Sequence, residues 1–96
     1  MNALHPDHHQ TRLRKQRAQR RRIHLRALAV ADQHGLCIYC QQRFSETRPA
    51  TLEHIVPRAM GGDDHPSNVA ASCDECNGAR GTANHTAFMR YRRREQ

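Results

Sequence analysis

Two Cys-x-x-Cys pairs, Cys37/Cys40 and Cys73/Cys76, are separated by 32 residues in a chain of 96. Each pair offers two sulfurs from one tight turn, and four thiolates fill the tetrahedral shell of Zn²⁺ with no position left for substrate. The spacing predicts one structural zinc held by Cys37, Cys40, Cys73 and Cys76, against the competing reading of free or redox-active thiols. A disulfide scaffold fits less well, because Met1 to Gln10 is polar and carries no export signal. Composition agrees: with 36% hydrophobic residues, two Phe, two Tyr and no Trp, there is little material for a conventional core. A structural zinc contributes about 10–16 kcal/mol in small peptides, comparable to the stability of a whole domain. With no run of 18 apolar residues, the expectation is a soluble, cytoplasmic protein without membrane contact.

Charge is divided unevenly. The net charge of +7 separates into +6 over residues 1–35, −2 over residues 36–82 and +3 over residues 83–96. This pattern sets a metal-binding centre between two cationic arms, so three units are expected with those boundaries. Cationic arms neutralise phosphates and release counterions, which makes nucleic acid the leading partner, although a charge run can also be a solvated face. The candidate contacts are Arg12, Arg14, Lys15, Arg17, Arg20, Arg21, Arg22, Arg58, Arg92, Arg93 and Arg94.

Residues 1–10 read as a loose tail, with His8 and His9 as no more than adventitious ligands. Thr11 to about His34 lacks Pro and Gly and reads as a helix, with Ile23, Ala27, Val30 and Ala31 on its apolar face, a polar first half that projects, and Gly35 as its stop. Leu36–Cys40 is expected as a short strand, and Thr51–Val56 as a second that ends at Pro57. A polar loop, 58–67, turns at Gly61-Gly62-Asp63-Asp64, where both aspartates read as turn formers. Ser72 and Glu75 match a capping box for a helix from about Cys73 to Arg80, stopped at Gly81. A last helix is capped by Asn84 and presents Ala87, Phe88 and Tyr91 on one face.

Closing the zinc site brings residues 37–40 against 73–76, which fixes Asn77 near the strand carrying Glu53 and His54. A hard cation such as Mg²⁺ takes oxygen ligands, often one or two from protein, and Glu53 with the amide oxygen of Asn77 meets that need. A neutral imidazole nearby can take a proton from a water attacking phosphorus. Arg80, three residues after Asn77, can hold the same phosphate. Successive strand residues point to opposite faces, so Glu53 and His54 share a site only if the strand twists, bulges or ends there. A nucleobase deaminase is excluded: Leu36 and Ser72 stand where Pro-Cys-x-x-Cys needs Pro, and no His-x-Glu occurs.

In these motifs the chain resembles the HNH endonuclease family: Cys37-x-x-Cys40, Glu53-His54-Ile55-Val56-Pro57-Arg58, Gly61-Gly62, Asn68-Val69 and Cys73-x-x-Cys76-Asn77-x-x-Arg80-Gly81. The resemblance covers about residues 36–82. It implies His54 as general base, Asn68 holding the loop or orienting His54, and Glu53 and Asn77 as ligands of a catalytic Mg²⁺ or Mn²⁺. The chain departs from the family pattern in having Asn77 where the name-giving motif has His, and Glu53 where Asp is commoner. The expected fold is α+β, a small zinc-stapled ββα-metal domain with a long basic N-terminal helix and a C-terminal helix. The expected function is metal-dependent hydrolysis of DNA phosphodiesters. The alternative is a non-catalytic zinc-ribbon protein that binds DNA or RNA.

Overall fold

The computed structural model describes residues 8–94, so the part of the expected tail at residues 1–7 lies outside the described residues. The chain folds as α1 (His8–Asp32), β1 (Ala50–His54), β2 (Val69–Cys73), α2 (Asp74–Arg80) and α3 (His85–Arg94), with short 3-10 turns at Arg58–Met60 and Pro66–Asn68. The two strands are antiparallel, in a register that pairs Ala50 with Cys73 and His54 with Val69. β1, β2 and α2 form the expected ββα unit of an α+β fold, while His8, His9 and Gln10 belong to the first turn of α1 rather than to a tail. Among the described residues no helix is long and apolar enough to cross a membrane.

α1 buries Leu25 and Ala29, not the expected face: Ile23 remains 48% exposed. The reason is Gln33, the next residue on the Leu25–Ala29 line. Its amide donates to the carbonyls of Leu36 and Ala71, each at 2.8 Å, and accepts from the Ala71 N–H at 2.8 Å. A polar residue thus sets the rotation of the helix, and counting apolar positions could not register it. At the helix end, the His34 N–H reaches Ala31 and the Gly35 N–H reaches Val30 in a Schellman arrangement. His34 takes the first left-handed position (φ 55°) and Gly35 the second (φ 77°).

Leu36–Cys40 is not a strand. The Cys37 N–H bonds to Gln42, the Gln41 N–H returns to Cys37, and Gln41 sits at φ 60°, so the pair of cysteines closes a tight knuckle. The partner of β1 is instead Val69–Cys73, whose Ala-Ala-Ser centre lacks the β-branched and aromatic residues that mark strands in a sequence. Small residues suit it because Ala70, Ala71, Ser72 and Cys73 are all buried.

α2 is capped by Cys73, whose Sγ accepts from the Cys76 N–H at 3.4 Å. The expected capping box is absent, because the Ser72 hydroxyl donates to Glu53 at 3.2 Å. Gly81 ends the helix at φ 54°. α3 is capped as expected, with Asn84 Oδ1 accepting from Ala87 at 3.1 Å. Of its expected face only Phe88 is buried, and Tyr91 is 53% exposed. The core is Cys37, Tyr39, Cys40, Cys73, Cys76 and Phe88, flanked by Ile38, Phe44 and Met89. Tyr39 packs edge-on against Phe88 with ring centroids 4.9 Å apart.

Candidate active site and metal centre

The four cysteine sulfurs are buried and lie within 4.8 Å of one another. Zn–S bonds of about 2.3 Å at tetrahedral angles place sulfurs about 3.8 Å apart. Cys40 Sγ and Cys73 Sγ are separated by 3.9 Å, which fits a shared ion and is far too long for a disulfide. The Tyr39 and Cys73 N–H groups point at Cys37 Sγ, each at 3.4 Å. Arg48 reaches Cys73 Sγ and Arg92 reaches Cys76 Sγ, both at 3.3 Å. Four thiolates and one Zn²⁺ carry a net charge of −2, and these two guanidiniums offset it. Glu75 links them, 3.6 Å from Arg48 and 3.3 Å from Arg92. Burial pushes the Cys40 and Cys76 thiols up from their ordinary values. At Cys37 burial is outweighed by the N–H groups of Cys73, Cys40 and Tyr39, which bring its thiol down.

A cleft of about 250 Å³ is lined by Leu52, Glu53, His54, Pro57, Arg58, Asn77, Arg80 and Gly81. β1 ends at His54, and this termination lets two successive residues reach one cleft. Glu53 is 6% exposed; it pairs with Arg80 through one oxygen and accepts from Ser72 through the other. Asn77, on the exposed side of α2, has no side-chain hydrogen-bond partner among the described residues. A carboxylate keeps further lone pairs after one hydrogen bond per oxygen, so Glu53 and the Asn77 amide oxygen make a hard donor set suited to Mg²⁺ or Mn²⁺.

Arg80 faces inward, where a phosphate contact was expected. It is 4% exposed and its guanidinium bonds Glu53, the Tyr39 hydroxyl, and the carbonyls of His54, Ile55 and Ala83. All its donor nitrogens are engaged within the protein. Tyr39 continues the chain to His85 Nδ1 at 2.9 Å. Burial and the Glu53 carboxylate push the Tyr39 phenol up, while burial, with Arg80 and Arg93 nearby, lowers His85.

His54 Nε2 lies 2.8 Å from Asp64 Oδ1, and the same carboxylate is gripped by Arg58 and approached by Arg21 of α1 at 3.8 Å. Asp64 was expected only to turn the chain. Its neighbour Asp63 does so, accepting from the His65 N–H at 3.1 Å, and nothing in the sequence distinguishes the two. The hydrogen bond from His54 and the Arg58 charge hold the Asp64 carboxyl below its usual range against the effect of burial. Asn68 pins the loop at both ends: its amide donates to Val56 and Asp63 and accepts from the Val56 N–H. Gly62 is obligatory there, because a Cβ would lie 1.7 Å from the Val56 carbonyl oxygen.

Arg12, Arg14, Lys15, Arg17, Arg20, Arg21 and Arg22 lie exposed along α1, and Arg58 stands exposed at the cleft. The arginines of α3 differ among themselves. Arg92 is turned to Cys76, Arg93 donates to the Ile38 carbonyl at 3.0 Å, and Arg94 stays exposed.

The profile of the HNH endonuclease family matches residues 37–91. No curated protein matches the chain at a significant level. Among solved structures it is similar to the Type II-C Cas9 enzyme from Actinomyces naeslundii, with 28% identity and a TM-score of 0.57 over 67% of this chain. The match spans only 7% of that much longer chain. With more than half of its residues under the family profile, and the two cysteine knuckles, Glu53-His54, Asn68 and Asn77 all within the matched region, the chain belongs to the HNH endonuclease family.

Proposed function

We propose that this protein is a metal-dependent endonuclease that hydrolyses DNA phosphodiesters with His54 as general base. The observation that carries the proposal is the convergence of Glu53, His54 and Asn77 on one cleft, with the His54 ring tethered through Nε2 and its Nδ1 without a partner among the described residues. Nδ1 takes the proton of the attacking water, whose oxygen bonds to phosphorus while the bond to the leaving oxygen breaks. Glu53 and Asn77 would hold the divalent ion, which when bound supplies charge stabilisation for the pentacovalent phosphorus and the departing oxygen. Asn68 keeps the loop in place, and Arg80 fixes Glu53 and the end of β1 without touching substrate. Residues 36–82 act as the cleaving unit. Residues 1–35 and 83–96 are cationic flanks, from which α1 in particular offers arginines to backbone phosphates.

A second reading, a non-catalytic zinc-ribbon nucleic-acid binder, draws on the engagement of both Glu53 oxygens by Arg80 and Ser72. Plasmid cleavage with Mg²⁺, Mn²⁺ or EDTA separates the two. The wild type is expected to cut with a divalent ion and not with EDTA, and His54→Ala to cut about 10²–10⁴-fold more slowly with zinc content and DNA affinity retained. A purified wild type that binds DNA but cuts with neither ion leaves only the binding module.

A further inference from the structure

We infer that Asp64 is the positioning residue for His54, selecting the tautomer that leaves Nδ1 as the basic nitrogen. The inference rests on the reading of His54 as general base and adds the group that makes it one. An ionised carboxylate only accepts hydrogen bonds. With Asp64 Oδ1 2.8 Å from Nε2, the neutral ring must carry its proton on Nε2, and the lone pair falls on Nδ1. The carboxylate is kept ionised and oriented by its surroundings. Arg58 grips both of its oxygens, and Arg21 reaches in from α1 at 3.8 Å. Its backbone is braced as well, because the Asn68 amide holds the Asp63 carbonyl at 2.8 Å, next to Asp64, and Val56, two residues beyond His54. One side chain therefore fixes the separation of the two segments that present the acid and the imidazole.

During attack the water proton moves to Nδ1 and the oxygen–phosphorus bond forms. The ring becomes an imidazolium whose Nε2 proton stays on nitrogen, facing Asp64, and solvent protonates the leaving oxygen. Asp64 orients the ring without taking a proton itself. A mere loop staple between Asp64 and Arg58 would make a different prediction: its loss would loosen the loop and weaken substrate binding without altering the tautomer.

The test uses the full-length, zinc-loaded protein. Imidazole ¹⁵N–¹H correlation spectra of His54, recorded where the ring is neutral, are compared with cleavage kinetics for wild type, Asp64→Asn and Asp64→Glu. In Asp64→Asn the two arginines compete for the amide oxygen and turn the NH₂ group toward Nε2. The wild type is expected to show the Nε2–H tautomer and Asp64→Asn to lose it. The asparagine variant's kcat should fall about 10²–10⁴-fold with KM for DNA changed by less than about threefold, and Asp64→Glu should recover part of both signals. A wild type in the Nδ1–H form overturns the inference. So does an asparagine variant that keeps the Nε2–H form, or one that loses it and still cuts at the wild-type rate. Cleavage by His54→Ala at the wild-type rate instead removes the base reading, while the spectra still decide whether Asp64 sets the tautomer.

Discussion

At the scale of the residue, Arg80 joins the most parts of the molecule. One buried guanidinium ties the Glu53 carboxylate, the Tyr39 phenol and the carbonyls of His54 and Ile55 at the end of β1. Removing one partner of a buried pair leaves the other charge without compensation, which costs about 3–5 kcal/mol. Arg80→Ala should therefore destabilise the zinc-loaded protein by about that amount in urea titration, and the ammonium of Arg80→Lys, lacking the planar fork, should restore little of it. A loss below about 1 kcal/mol would mean that water replaces the guanidinium. The sequence placed Arg80 at the site and could not tell whether it pointed to substrate or to the core. The direction depends on Tyr39 and Glu53 arriving from elements 41 and 27 residues away. The same limit applied to Asp63 and Asp64, which are equivalent until the fold turns only one toward His54.

At the scale of the element, the pieces that sequence made legible are those with local causes. The knuckle cysteines, the Asn84 cap, the stop at Gly81 and the termination of β1 near Pro57 all follow from residues within a few positions of the feature. β2 was missed because its strand character comes from burial between α1 and β1, not from its own alanines. The rotation of α1 was misread because a glutamine sets it. The first half of α1 has no such docking: residues 8–20 contribute no buried side chain, and the helix of 25 residues is about 37 Å long. Deleting residues 1–20 removes Arg12, Arg14, Lys15, Arg17 and Arg20 and spares Leu25, Ala29 and the Arg21–Asp64 contact. DNA affinity should fall for all sequences alike, and the slope of log K against log salt should shrink by up to about 4.5, with zinc content unchanged. An unaltered slope would make this half a solubilising face only.

At the scale of the whole molecule, the metal centre and the hydrophobic core coincide. Four of the six residues in the buried cluster are the cysteines, and Tyr39 and Phe88 are packed around them. Arg48, Glu75 and Arg92 draw β1's approach, α2 and α3 to the same sulfurs. Stripping the metal leaves the thiols without a common partner, and only the exposed Glu75 pairs with Arg48 and Arg92 then still join these segments around the sulfurs. A strong chelator should abolish the cooperative thermal transition and the near-ultraviolet signal of Tyr39, and added zinc should restore both. A metal-free protein that still melts cooperatively would show that aromatic packing alone sustains the fold.

A small sheet ordinarily invites company, since each outer strand displays peptide groups that a strand from another chain can pair with. Here part of each outer edge is taken by groups that are not strands. The Gln33 amide forms with Ala71 the paired donor and acceptor that a third strand would supply, and the Ile38 N–H takes the same carbonyl. Across the sheet, Arg80 covers the carbonyls of His54 and Ile55. At Ala71 and at the His54 carbonyl an added strand finds no free partner, so the residues that orient α1 and fix the cleft also shorten the template open to strand addition.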